Sequence, residues 1–235
     1  MSLQKLAAER GLPIIAVDNR QILALRQAEF VGEQLRQVIR ERGSAYIGLS
    51  GGRSPEAFLR CLDEQVLDWS RVAITLVDER WVVETDIASN AGLLQRCLPK
   101  ALASATWLPL FRGDTPQRDA HMASLALAAW LPLDIVVLGM GTDGHCASMF
   151  SGQDGLEQLL NAESSILCAP VRAPDGAWRI TLTGAALRTG RLQLLAISGD
   201  DKYLTLCEAF SASTALMPVA AFLAPPLHLF YSPGG

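Results

Sequence analysis

Asp134-Ile135-Val136-Val137-Leu138-Gly139-Met140-Gly141-Thr142-Asp143-Gly144-His145-Cys146-Ala147-Ser148 is the stretch that decides the fold. It begins with a short apolar run and turns at once into a loop carrying three glycines and a histidine. Such a run, with no polar residue in alternation, reads as a strand buried on both faces. Working outward, the same form recurs. Ala45–Leu49 is a short apolar run before a glycine pair, and Val72–Val77 (VAITLV) runs into the charged corner Asp78-Glu79-Arg80. Arg179–Thr183, Leu192–Ser198 and Leu227–Tyr231 also read as strands. Helical spacing predicts helices over Gln21–Arg42, Ser54–Leu62, Ser89–Leu98, Pro116–Leu131 and Asp200–Phe210. Ser54 is expected to cap the second of these, with Pro55 at its first helical position. Strands alternating with helices point to an α/β chain: a single Rossmann-like domain over residues 1–235, with a mainly parallel sheet flanked by helices on both faces. In such sheets ligands bind beyond the carboxyl ends of strands. The three distinctive polar segments, Ser50–Arg53, Asp78–Arg80 and Gly139–Ser148, all follow strands.

Composition narrows the classes further. The chain has 235 residues, half of them hydrophobic and 19% charged, with a net charge of −4. Disorder and low-complexity classes are excluded, and so is a sequence-independent grip on nucleic acid. No apolar run approaches the length of a membrane span, and the first residues lack the apolar core of a signal peptide. The five cysteines (Cys61, Cys97, Cys146, Cys168, Cys207) are odd in number and show neither CxxC nor zinc spacing. They read as free thiols in a reducing cytoplasm. Arg outnumbers Lys 17 to 3, so each arginine has to be argued singly.

Three segments carry chemistry. In Ser50-Gly51-Gly52-Arg53 the glycines let the backbone approach a ligand, and the helix that follows offers unpaired N–H groups: together these suit an anion. It is neither a Walker loop nor GxGxxG. At the DER corner, Arg80 suits an anionic substrate, while a carboxylate (Asp78 or Glu79) positions it or orders the loop. In the loop from Gly139, His145 brings an imidazole, the side-chain type suited to accepting a proton from water at neutral pH. Asp143 either orients its imidazole or caps a turn. Cys146 is a poor nucleophile candidate, because adjacent side chains diverge. His121 and His228 read as structural, and the five tryptophans as packing residues. Arg179 opens an apolar strand and Lys202 lies near a helix start; on their own, each is a weak signal.

LSGGRSP (Leu49–Pro55), VDERWV (Val77–Val82), SNAGLL (Ser89–Leu94), LGMGTDGHCASMF (Leu138–Phe150), RITLT (Arg179–Thr183) and SGDDK (Ser198–Lys202) occur in an order and at intervals that resemble the 6-phosphogluconolactonase family. That family lies within the glucosamine-6-phosphate deaminase/ribose-5-phosphate isomerase-like superfamily. The resemblance implies hydrolysis of 6-phospho-D-glucono-1,5-lactone to 6-phosphogluconate in the oxidative pentose phosphate pathway, with no metal or organic cofactor. It implies functional coupling to glucose-6-phosphate dehydrogenase, and neither nucleic acid nor membrane as partner. It assigns His145 as general base and Arg80 as a substrate contact, with Gly51, Gly52, Arg179 and Lys202 at the phosphate. Backbone N–H groups of a glycine-rich loop, or an arginine, suit the oxyanion, and Gly141 counts among the substrate-binding residues. Arg53 departs from the small residue commoner in that loop, and Ser151 stands where the family often has Pro. The related deaminases read DEY and DGHIAFNEP where this chain has Asp78-Glu79-Arg80 and DGHCASMFSG. A sugar-phosphate sensor would carry a DNA-binding segment, for which the residues before the first long helix are too few.

Overall fold

The computed structural model describes residues 2–234. In chain order the helices are α1 (Leu3–Glu9), α2 (Arg20–Arg42), α3 (Glu56–Asp63), α4 (Asn90–Cys97), α5 (Pro99–Leu102), α6 (Pro116–Leu127), α7 (Leu156–Leu160), α8 (Gly184–Leu187) and α9 (Asp200–Ala209). The strands are β1 (Ile14–Ala16), β2 (Ala45–Leu49), β3 (Val72–Leu76), β4 (Asp78–Arg80), β5 (Thr106–Leu108), β6 (Ile135–Leu138), β7 (Cys168–Arg172), β8 (Trp178–Leu182), β9 (Leu192–Ser198) and β10 (Leu227–Ser232).

Seven strands form one sheet in the order β1-β10-β9-β6-β2-β3-β5, every pair parallel. Helices cover both faces. All residues of β3 and β6 are buried, which is why both read as unbroken apolar runs. One core cluster runs from Leu3 to Phe230. Each fully buried aliphatic side chain in it contributes about 1.5–3 kcal/mol. The winding reverses between β2 and β6, which lie side by side in the register Ile47↔Ile135. The loops leaving these two strands therefore flank the switch point, where a crevice opens in such sheets.

Local chemistry sets the helix ends. Asn19 caps α2, its Oδ1 accepting from Ile22 N at 2.9 Å, and Gly43 closes it in the left-handed region with φ 84°. The expected cap at Ser54 is not made. Pro55 is the N-cap of α3, without a side-chain bond, and the helix starts at Glu56. Ser54 Oγ accepts instead from Lys202 Nζ at 2.9 Å. The run read as one helix over Pro116–Leu131 is α up to Leu127 and then a 3-10 turn to Trp130.

The strand read over Arg179–Thr183 does not join the parallel sheet. As β8 it is the middle strand of a separate antiparallel sheet, β4-β8-β7. The charged corner Asp78–Arg80 is itself the strand β4 of that sheet. Both segments are too short for periodicity to reveal which partner they choose.

Candidate active site

The loops after β2, β3 and β6, the small sheet, and the start of α9 surround a cavity of about 650 Å³. Ser50, Gly51, Gly52, Arg53, Asp78, Arg80, Gly141, His145, Arg179 and Lys202 all line it. Asp143 does not, but it is tied to one that does. The structure thus brings together the residues that the sequence singles out from five separate segments.

His145 owes its position to glycine. Gly141 N donates to His145 O at 3.1 Å, and Gly144, at φ 78°, turns the loop back. Asp143 Oδ1 lies 2.6 Å from His145 Nδ1 and also accepts from His145 N at 3.2 Å. Burial raises the Asp143 carboxyl, but the imidazole's charge and these hydrogen bonds outweigh it and hold the carboxyl below its usual range. An ionised Asp143 keeps the proton on Nδ1, which leaves Nε2 as the imidazole's free acceptor. The ring of Phe150 packs on the His145 imidazole, centroids 4.8 Å apart. Ala147 takes φ 49°, a left-handed position rare for a residue with a Cβ, at the turn that follows His145. Cys146 is fully buried, and burial pushes its thiol far up, so no thiolate is at hand beside the histidine.

The small sheet supplies two arginines. Arg80 and Arg179 are register partners across β4 and β8. Like charges directly opposite one another destabilise a pair of strands. The Nε atoms of both are buried without a hydrogen-bond partner among the described residues. Arg80 Nη1 donates to Ala88 O at 2.7 Å, and the Arg179 guanidinium lies over the Phe150 ring, 5.6 Å from its centroid. Two half-buried guanidiniums facing one cavity with unused donors suit an anionic ligand.

Buried carboxylates hold this frame. Glu79, 1% exposed, accepts from Arg80 N at 2.6 Å, Ala91 N at 2.7 Å and Asn90 N at 2.8 Å, and so secures the start of α4 beside β4. Asp78 Oδ2 accepts from Ser148 Oγ at 2.6 Å, joining the DER corner to the histidine loop. Asn90 Nδ2 donates to Asp78 O at 2.9 Å, and its side chain fills the space where a Cβ at Gly51 would lie. Gly51 is therefore required for close packing, whereas Gly52, at φ 86°, is required for its dihedral. Arg53 is exposed at the rim of the cavity.

Sequence reasoning passed over Asn90, Ser148, Phe150 and Arg20. All but Arg20 sit inside quoted motifs, with nothing in their type to mark a role. Arg20 carried a signal: a cation in the first turn of a helix, where acidic residues are favoured. His121 is exposed on α6, and His228 lies in β10 packed on Phe30. Trp81 Nε1 donates to the buried Asp119 at 3.0 Å, consistent with a packing role. Among the described residues no group of three or more His, Cys, Asp and Glu side chains is placed to hold a metal ion, and no helix is long and apolar enough to cross a membrane.

Comparison with known proteins gives the family. Residues 18–228 match the family described as glucosamine-6-phosphate isomerases/6-phosphogluconolactonase. A 6-phosphogluconolactonase of Pseudomonas aeruginosa is 40% identical, over 97% of this chain and 98% of its own. One from Pseudomonas putida is 36% identical over 99% and 98%. Among solved structures, a 6-phosphogluconolactonase from Shewanella baltica superposes with a TM-score of 0.89 at 32% identity, over 94% of this chain and 97% of that one. With family model, full-length relatives and fold in agreement, the chain belongs to the 6-phosphogluconolactonase family.

Proposed function

We propose that the chain hydrolyses 6-phospho-D-glucono-1,5-lactone to 6-phospho-D-gluconate, the lactone-opening step of the oxidative pentose phosphate pathway. The observation that carries this reading is the Asp143–His145 pair, 2.6 Å apart, at a cavity lined by Arg80, Arg179 and Lys202. The Gly51–Gly52 loop, Arg179 and Lys202 hold the phosphate, and Arg80 contacts the sugar-phosphate. His145 Nε2 takes a proton from water as the water oxygen bonds to C1. The carbonyl electron pair moves onto its oxygen, which cavity donors such as backbone N–H groups of the glycine loop stabilise. When the carbonyl re-forms, the bond from C1 to the ring oxygen breaks, and the imidazolium returns the proton to that oxygen. Asp143 holds the ring and its tautomer throughout. The relatives' names, the absence of a nucleophilic thiol at Cys146 and the arginine at position 80 all support the reading. The continuous core from Leu3 to Phe230 supports the described residues acting as one domain. We place the protein in the cytoplasm, taking its lactone from glucose-6-phosphate dehydrogenase.

The test generates the lactone in situ and follows its loss in wild type and His145→Ala, each corrected for the spontaneous rate. A fast wild type beside a near-background variant with native circular dichroism is expected, a loss of about 100-fold or more. A variant as fast as wild type removes His145 as base. A folded wild type without activity removes the lactone reading itself.

A further inference from the structure

Arg20 stands where helix energetics disfavour it. It is the first residue of α2, at the positive end of the helix dipole, with no acidic residue in the first turn. No described carboxylate pairs with it. Its Nε donates to Ser198 Oγ at 2.9 Å, and that hydroxyl in turn meets Ser232 Oγ at 2.9 Å, so the side chain is fixed at the carboxyl ends of β9 and β10. One Nη lies 3.5 Å from where a Cβ of Gly199 would sit. This places the guanidinium at the entry to α9, the helix that carries Lys202.

Lys202 is the second cation of this corner. Its Nζ is bonded to Ser54 Oγ in the glycine loop, and it too has no carboxylate partner among the described residues. Burial, and then the charge of Arg20, lower its ammonium pKa. Two like charges are therefore held within electrostatic reach, and neither makes an ion pair with a described carboxylate, although Asp200 and Asp201 open the same helix. Both line the same cavity as Gly51 and Gly52. The helix dipole, the missing counter-ion and the neighbouring ammonium all oppose a cation at position 20, and a dianion seated between Arg20 and Lys202 relieves all three. An arginine anchored through Nε keeps both Nη groups for a bidentate phosphate contact.

We infer that Arg20 is a binding residue for the phosphate group of the ligand, acting with Lys202 from the α2 side of the cavity. The inference rests on the lactone reading only in taking the anion to be the phosphate of a sugar; the charge argument is independent of turnover.

Inorganic phosphate is titrated into the full-length protein by calorimetry, for wild type, Arg20→Gln and Arg20→Lys, with circular dichroism as the control for folding. Arg20→Gln is expected to weaken phosphate binding by about tenfold, and Arg20→Lys by less, since the charge remains while the planar fork is lost. With the phosphorylated lactone, KM rises by a similar factor at unchanged kcat. With unphosphorylated gluconolactone the variants and wild type behave alike. Phosphate affinity within twofold of wild type in folded Arg20→Gln, or no phosphate binding by wild type at millimolar concentration, overturns the inference. Phosphate binding that depends on Arg20 in a protein that does not open the lactone upholds it while removing the lactone reading.

Discussion

A Cβ added at Gly141 would fall 2.2 Å from His145 Nδ1 and 2.4 Å from Asp143 Oδ1. The constraint here is space, since the Asp143–His145 pair closes over the backbone of Gly141. Gly141→Ala is therefore expected to keep the fold but displace the imidazole by an ångström or so, and misplacement on that scale costs on the order of 100-fold in kcat. Gly52→Ala makes the opposite case. Nothing lies within 4 Å of its added Cβ, yet φ is 86°, so its cost is backbone strain of about 1–2 kcal/mol, seen in stability. Steady-state kinetics and thermal unfolding on the two variants separate these effects. An active Gly141→Ala would mean that the histidine loop has slack that its hydrogen bonds do not suggest.

One buried carboxylate joins β4 to α4. Glu79 receives three backbone N–H groups and, at 3.3 Å, the Ser89 hydroxyl. Burial pushes its carboxyl up, while those backbone donors act in the opposite direction. Glu79→Ala leaves three buried donors without an acceptor, at about 1–3 kcal/mol each where water cannot reach them. A loss of roughly 3 kcal/mol or more in urea unfolding is expected, with Glu79→Gln in between, because its single carbonyl can still accept. A loss below about 1 kcal/mol would mean that water replaces the carboxylate and that α4 is held by packing alone. Because Asn90 opens α4 and packs on Gly51, the same change is expected to loosen the glycine loop.

Across the whole molecule, the sheet and α2 meet where Phe30 packs on His228, ring centroids 5.4 Å apart. Burial lowers the His228 pKa from its usual 6.5. Well above pH 6.5 the histidine is neutral in both folded and unfolded chains and contributes no pH dependence. As pH falls below 6.5 the unfolded chain takes up a proton before the folded one does, so stability drops until the lowered folded value is passed. His228→Leu is expected to flatten this part of the profile: between pH 7.5 and 5.5 its urea midpoint falls by less than that of wild type. Equal slopes in the two proteins would show that His228 protonates freely in the fold.

Much of this architecture was legible residue by residue. Val72–Leu76 and Ile135–Leu138 are buried on both faces, so their apolar runs announce central parallel strands. The loops that follow them hold the glycines and polar groups that such strand ends present, and His145 was legible there because a titratable ring in a glycine-rich loop has few structural uses. Three-residue edge strands were not legible: Ile14–Ala16 and Thr106–Leu108 are too short to show a period and are set by the neighbour they pair with. Nor was the small sheet, in which Arg80 meets Arg179 through a long-range register that no local pattern encodes. The amino-acid sequence by itself determined the α/β class, the central strands and the chemistry of each loop, because burial and backbone geometry act locally. Only the tertiary structure decided which charges share the cavity: Arg80 with Arg179, which also pairs with Asp175 at 3.6 Å, and Arg20 with Lys202, each set brought together by strands and helices distant in the chain.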